Sequence, residues 1–153
     1  MRQVYTVIDK LRLKLKENGI TNTVTFGDIL EVDLDKTTIY PLSHITMGEV
    51  VFSPHIVTAT IQLFCLDIVD KINTLTDDDI FYGNDNLQDI LNTQLQVVND
   101  IQQELTRGSM FDDNLQLTTD ITASPFMDNF ENQLAGWAVT ISIELPNTEH
   151  TIC

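Results

Sequence analysis

The stretch of sequence that decides the fold is Ala135-Gly136-Trp137-Ala138-Val139-Thr140-Ile141-Ser142-Ile143-Glu144-Leu145-Pro146-Asn147. Large apolar residues occupy every second position from Trp137 to Leu145 and alternate with small or polar ones. A period of two residues is typical of a β-strand with one buried face. Pro146 has no N–H group to give to a sheet ladder, so we expect the strand to end there. The other face is small and nearly uncharged, and it could meet water or another protein surface.

A second long strand is predicted over residues 55–68, Ile56 through Ile68. Ile61, Leu63 and Cys65 point to one face, whereas Phe64 and Leu66 point to the other. Both faces are therefore apolar towards the end of this strand. A strand with that pattern is central in its sheet or is covered on its second face by a partner.

Shorter extended segments precede and follow these two strands. Residues 23–35 alternate as one strand or a broken pair, and residues 39–45 form a short segment that Pro41 limits to an edge or to its first residues. We expect a turn near Met47-Gly48, a further strand at Leu115–Leu117, and a loop at Ser124-Pro125.

Two helices are predicted, over residues 2–17 and 86–106. The first has an apolar stripe at Val4, Val7, Ile8, Leu11 and Leu15, and Asn18-Gly19 ends it. The second has a stripe at Leu87, Ile90, Leu91, Leu95, Val98, Ile101 and Leu105, and its opposite face consists largely of amides. The predicted fold class is α+β, a mainly antiparallel sheet of four to six strands with two helices packed on one face. We expect residues 1–153 to form a single domain.

The charge of the chain is strongly negative and unevenly distributed. The 153 residues carry a formal net charge of −15. Residues 1–76 contain nine acids and seven Lys or Arg, whereas residues 77–153 contain fourteen acids and one Arg. The first helix is the basic element, and no basic stripe follows it. We therefore do not expect tight nucleic-acid binding. The sequence also predicts a soluble chain without a leader, a membrane segment or a disulfide framework.

No catalytic, cofactor-binding or metal-binding motif is visible. His44, His55 and His150 lack metal-ligand spacing, and the acidic run at Asp77 lacks the alternating ligands of an EF-hand loop. Neither a nucleophile motif nor a phosphate-binding glycine loop is present. We predict that the chain is not an enzyme and uses no cofactor or metal.

Three blocks of sequence resemble the small neck and tail-terminator proteins of tailed bacteriophages. The first block runs from Ile39-Tyr40-Pro41-Leu42 through Thr46-Met47-Gly48 to a long strand that closes with Phe64-Cys65-Leu66-Asp67-Ile68-Val69-Asp70. The second is the amide-rich helix with its acidic entry. The third contains Ser124-Pro125-Phe126-Met127-Asp128-Asn129-Phe130, then Ala135-Gly136-Trp137, then Ile143-Glu144-Leu145-Pro146-Asn147. The order of helix, strands, helix and returning strands is similar to the layout of that family.

The resemblance implies a structural protein of the virion. Such a head–tail connector subunit forms a homo-oligomeric ring of six or twelve copies between the portal or head-connector side and the tail tube. DNA passes through the ring without specific binding. The chain would be made in the cytoplasm of the bacterial host and would reside in the neck or tail of the virion. A monomeric protein-interaction adaptor domain is the alternative function.

For the ring, the sequence predicts a subunit interface with an apolar and a charged part. Phe64, Leu66 and Trp137 would supply apolar contacts. Lys14 and Lys16 of the basic helix would approach Asp77, Asp78 and Asp79 of a neighbouring subunit, with charge setting the orientation. Because the second half of the chain is acidic and amide-rich, we expect a neutral or acidic lumen that holds DNA weakly.

Overall fold

A computed structural model of the chain describes residues 2–28, 37–69, 87–107, 115–128 and 134–146. The fold is α+β, with two helices and a mostly antiparallel six-stranded sheet, as predicted. The elements are, in chain order, α1 (Arg2–Glu17), β1 (Thr23–Phe26), β2 (Leu42–Phe52), β3 (Ile56–Ile68), α2 (Leu87–Thr106), β4 (Gln116–Leu117), β5 (Thr122–Asp128) and β6 (Leu134–Pro146).

The sheet is built around the two longest strands. β3 and β6 pair antiparallel along their full lengths, from Ile56 opposite Pro146 to Ile68 opposite Leu134. β2 flanks β3, and β1 pairs parallel with β2 at the edge. On the other side β4 and β5 both pair with β6. Of the two alternatives predicted for this strand, the structure shows the central position in the sheet.

Both helices pack on one face of this sheet. Alternate residues of β3 and β6, among them Ile61, Leu63 and Ile141, meet the buried stripes of α1 and α2 in the main core. The stripe predicted for α1 is confirmed, because Val7, Ile8, Leu11 and Leu15 are buried and Val4 is partly buried; Gly19 ends this helix with a φ of 79°. Its positive φ is a backbone conformation that glycine adopts at little cost.

The stripe predicted for α2 is partly wrong. Leu95 is exposed, whereas Gln94 and Val97 are buried on the face that meets the core. A polar residue inside an apolar stripe is not expected from the periodicity, because burying an amide without hydrogen bonds is unfavourable.

Two predicted interruptions are also wrong. β2 runs through Met47-Gly48 without a turn; instead the pairing register with β3 shifts between Met47 and Val50, as at a β-bulge. The chain turns later, where the Ser53 N–H donates to the Ile56 carbonyl at 2.8 Å. Ser124-Pro125 lies inside β5. Proline is tolerated there because, among the described residues, β5 pairs with β6 alone and so lies at the edge of the sheet.

The first strands differ in extent from the prediction. β1 ends at Phe26, and positions 29–36, which include the second part of the predicted 23–35 segment, lie outside the described residues. A short 3₁₀ turn (Thr37–Ile39) and a cis Tyr40-Pro41 peptide precede β2, so the extended segment begins at Leu42 and not at Ile39. The acidic run at Asp77 is outside the described residues as well.

Candidate subunit interface

The outward face of α1 combines apolar and charged side chains. Tyr5 is 67% exposed and Leu13 is 59% exposed, although both lie on a helix whose opposite side is buried. Arg12 is 4.0 Å from Asp9 on the same face. We call this surface the α1 outer face; its members are Tyr5, Asp9, Arg12, Leu13 and Lys16. Exposed large apolar residues next to cations are common at protein interfaces.

Lys14 does not belong to this surface, because it joins the two helices of its own chain. Its Nζ lies 3.2 Å from Glu17 and 3.9 Å from Glu104 of α2. Asn18 donates a further hydrogen bond to Asp100 of α2. Asp77, Asp78 and Asp79 lie outside the described residues, so the expected pairing of Lys14 and Lys16 with these acids in a neighbouring subunit stays a prediction.

The turn between β2 and β3 is flanked by three exposed apolar side chains, with Val51 and Ile56 on one face of the hairpin and Phe52 on the other. Val51 is 51%, Phe52 is 65% and Ile56 is 41% exposed. We call these three residues the hairpin tip. The sequence carries a signal for this surface that periodicity analysis missed: apolar residues continue without alternation from Val50 to Phe52 and resume at Ile56, directly beside the Ser-Pro-His turn.

Phe64 and Leu66 lie on the sheet face opposite the helices. Leu66 is fully buried in a second cluster with Tyr40, Leu42 and Leu134. It therefore offers no surface to a partner, and its assignment as an interface residue does not fit its burial. Phe64 is partly buried and packs edge-to-face on Phe126, with 5.7 Å between ring centroids.

Trp137 connects β6 to α2 within the chain. Its indole Nε1 donates a hydrogen bond to the Leu91 carbonyl at 2.8 Å, and its ring packs against the main core. The part of the ring that stays accessible lies beside Leu95 in a shallow depression. Trp137 therefore has a structural role within the chain, and its predicted place in the subunit interface stays a prediction.

His44 is a buried histidine that fastens β1 to β2. Its Nε2 lies 2.9 Å from the Gly27 carbonyl and its Nδ1 lies 2.6 Å from the Thr25 hydroxyl. A carbonyl oxygen can only accept, so Nε2 carries the proton and Nδ1 accepts from Thr25 when the ring is neutral. Burial lowers the pKa of His44, although the Gly27 hydrogen bond and the Asp28 charge oppose this effect. The neutral ring is therefore the favoured state inside the fold.

Cys65 is a buried cysteine whose thiol is kept protonated. It is fully buried, and burial raises the pKa of its thiol to about 12, against a smaller opposing effect of the Ser43 hydroxyl. The thiolate required for nucleophilic attack or metal binding is therefore disfavoured. In the part of the chain that the structure describes, no group of three or more His, Cys, Asp or Glu side chains could hold a metal ion.

A groove of about 450 Å³ separates α2 from β5. It is lined by the amide side chains of Asn92, Gln96, Asn99 and Gln102 and by the apolar side chains of Leu95, Val98, Ile121 and Ala123. These lining groups can donate and accept hydrogen bonds but supply no charge or general base. These side chains therefore offer no reactive group.

Comparison with models of protein families and with curated proteins found no match. Among the described helices, none is long and apolar enough to cross a membrane.

Proposed function

We propose that the chain is a structural subunit that assembles with copies of itself into a ring in the neck or tail of a tailed bacteriophage. The observation that carries the proposal is the grouping of exposed apolar side chains. Of the seven large hydrophobic residues exposed in the described parts of the chain, five lie on the α1 outer face or at the hairpin tip. Surface hydrophobic residues are normally scattered singly, whereas grouped ones mark contact sites.

The element order supports the phage assignment. In the described parts of the chain, a helix, three strands, a helix and three strands follow one another, which agrees with the layout that the sequence resemblance implies. The buried thiol and the neutral histidine also favour a role in contacts over a role in chemistry. The ring would then join the head-connector or portal side to the tail tube.

The charge of the chain bears on the passage of DNA. At a net charge of −15, the subunit as a whole repels phosphate groups. The release of counterions from the DNA backbone is the main source of non-specific affinity for DNA. A lumen lined by acidic or amide side chains would not cause that release, so DNA could slide through it. This expectation extends the proposal to the inner surface of the ring.

Light scattering coupled to size-exclusion chromatography tests the proposal. We expect a mass of six or twelve times that of the 17.3 kDa chain, which changes little over a tenfold dilution. The alternative, a monomeric adaptor domain, predicts 17.3 kDa at every concentration. A monomer at high protein concentration in both low and high salt would contradict ring formation.

A further inference from the structure

We propose that the hairpin tip of one copy docks on the α1 outer face of the next copy. This inference rests on the proposed function and assigns the surfaces by which the subunits meet. The two surfaces carry the exposed apolar residues of complementary elements: Tyr5 and Leu13 on a helix, and Val51, Phe52 and Ile56 on a strand turn. Burying the two sets against each other removes these apolar side chains from water.

Charge decides which surfaces pair. α1 carries five of the eight Lys and Arg residues of the chain, namely Arg2, Lys10, Arg12, Lys14 and Lys16. On the α1 outer face itself, Arg12 and Lys16 outnumber Asp9, so two such faces would bring like net charge together. The strands behind the hairpin tip carry acids instead, Glu49 on β2 and Glu144 on β6 opposite Thr58. A contact between two tips brings like charges together, whereas a contact between a tip and α1 brings opposite charges together.

The geometry of such a contact determines the assembly. The hairpin tip lies at the end of β2 and β3, and the α1 outer face lies on the solvent side of a helix that covers the sheet. Because the two surfaces are different, each subunit uses its tip on one neighbour and its α1 on another. A heterologous contact of this kind closes into a ring when its rotation is a simple fraction of a turn.

Paired double variants test the surfaces. Tyr5→Gln with Leu13→Gln removes the apolar groups of α1, and Val51→Gln with Phe52→Gln removes those of the tip, in both cases without adding charge. Leu95→Gln is the matched control, because Leu95 is exposed on α2 away from both surfaces. Circular dichroism must show a wild-type spectrum and melting temperature for every variant compared. We expect both double variants to lose the ring at concentrations where the wild type and Leu95→Gln retain it.

Cross-linking then tests the pairing directly and does not depend on those variants. One copy carries Leu13→Cys and a differently tagged copy carries Phe52→Cys, both with Cys153→Ser; Cys65 is buried and does not react. With a bismaleimide, we expect the heterologous 13–52 product and little 13–13 or 52–52 product. Predominant 13–13 or 52–52 products, the absence of any cross-link in an assembled sample, or rings that persist in either double variant would overturn the inference and leave the proposed function intact. A wild-type chain that is monomeric would instead contradict the proposed function.

Discussion

The indole Nε1 of Trp137 donates a hydrogen bond to the carbonyl oxygen of Leu91 at 2.8 Å, and this contact ties β6 to the middle of α2. It turns a residue that strand periodicity places on a buried face into a specific link between the sheet and its covering helix. Because its ring also packs against the main core, we expect Trp137 to contribute mainly to the stability of the subunit.

Trp137→Phe should therefore weaken the fold more than the assembly. The variant keeps an aromatic ring but loses the hydrogen bond, so the partly buried carbonyl of Leu91 has one donor fewer. We expect the free energy of unfolding to fall by about 1 kcal/mol, measured by urea denaturation, with the oligomeric mass in native buffer unchanged. Loss of assembly with an unchanged urea midpoint would place Trp137 in the interface.

The sequence predicted the sheet and both helices because their hydrophobic periods are regular. The alternation in β6 and the stripe of α1 each leave one arrangement in which the apolar residues are buried. The bulge in β2 and the position of Pro125 could not be predicted in this way, since both depend on which strand lies beside them. Gly48 and Pro125 are both residues that favour turns. Gly48 fits inside β2 because the pairing register with β3 shifts there. Pro125 fits inside β5 because that strand lies at the edge of the described sheet.

The candidate interface was predicted less well than the fold. Phe64 and Leu66 make the second face of β3 apolar, which suggests a subunit interface. Leu66, however, is covered within its own chain by the second cluster. A period of two indicates which residues share a face and not which parts of that face stay exposed. The hairpin tip could not be predicted because its exposure depends on where the chain turns. The turn lies at Ser53, whereas the sequence predicts it near Gly48.

Gln94 should be a site where a substitution stabilises the protein. Its side chain is fully buried on α2, and neither its Nε2 nor its Oε1 has a hydrogen-bond partner within the described residues. Gln94→Met preserves the length of the side chain and removes the unpaired amide, so we expect the free energy of unfolding to rise by about 1–3 kcal/mol. Gln96→Met, at an exposed position of the same helix, is the control and should change stability little. Destabilisation by Gln94→Met in urea denaturation would mean that the amide has a partner in the native state.

Gly136 should not tolerate a side chain. It pairs with Leu66 across β3 and β6, and a Cβ at this position would overlap the carbonyl oxygen of Cys65. Because that oxygen belongs to the central strand, relief requires the two longest strands to separate locally. We expect Gly136→Ala to cost about 1–3 kcal/mol, the range for overpacked interiors, with a matching fall in melting temperature.

Gly19→Ala is the comparison for that variant. A Cβ at Gly19 meets nothing within 4 Å, so its penalty comes from the positive φ alone, about 1–2 kcal/mol. The two variants therefore separate steric overlap from backbone strain. A Gly136→Ala variant with the wild-type melting temperature would show that β3 and β6 are not paired as described.

His44 should make the fold sensitive to acid. The buried ring has a pKa below its ordinary value of 6.5, chiefly because of desolvation. Below pH 6.5 the histidine at position 44 is protonated in the unfolded chain more readily than in the native chain. The free energy of unfolding should therefore decrease as the pH falls from about 7 towards 5. Above pH 7 both states are neutral and His44 contributes no pH dependence.

Comparison of wild type with His44→Gln isolates this effect. The variant should lose the part of the pH dependence that arises from position 44, as measured by urea denaturation at half-unit steps of pH. His55→Asn, which replaces a histidine in the exposed β2–β3 turn, serves as the control. An identical pH profile in wild type and His44→Gln would contradict a buried neutral ring.

Electron microscopy of the purified wild-type chain tests the central claim most directly. We expect class averages of closed rings with a single rotational symmetry and an open centre, formed at low salt without any partner protein. Added double-stranded DNA should not coat or aggregate these rings. Fields that contain only particles of the size of one 17.3 kDa chain, or only compact two-fold dimers without an opening, would contradict the account.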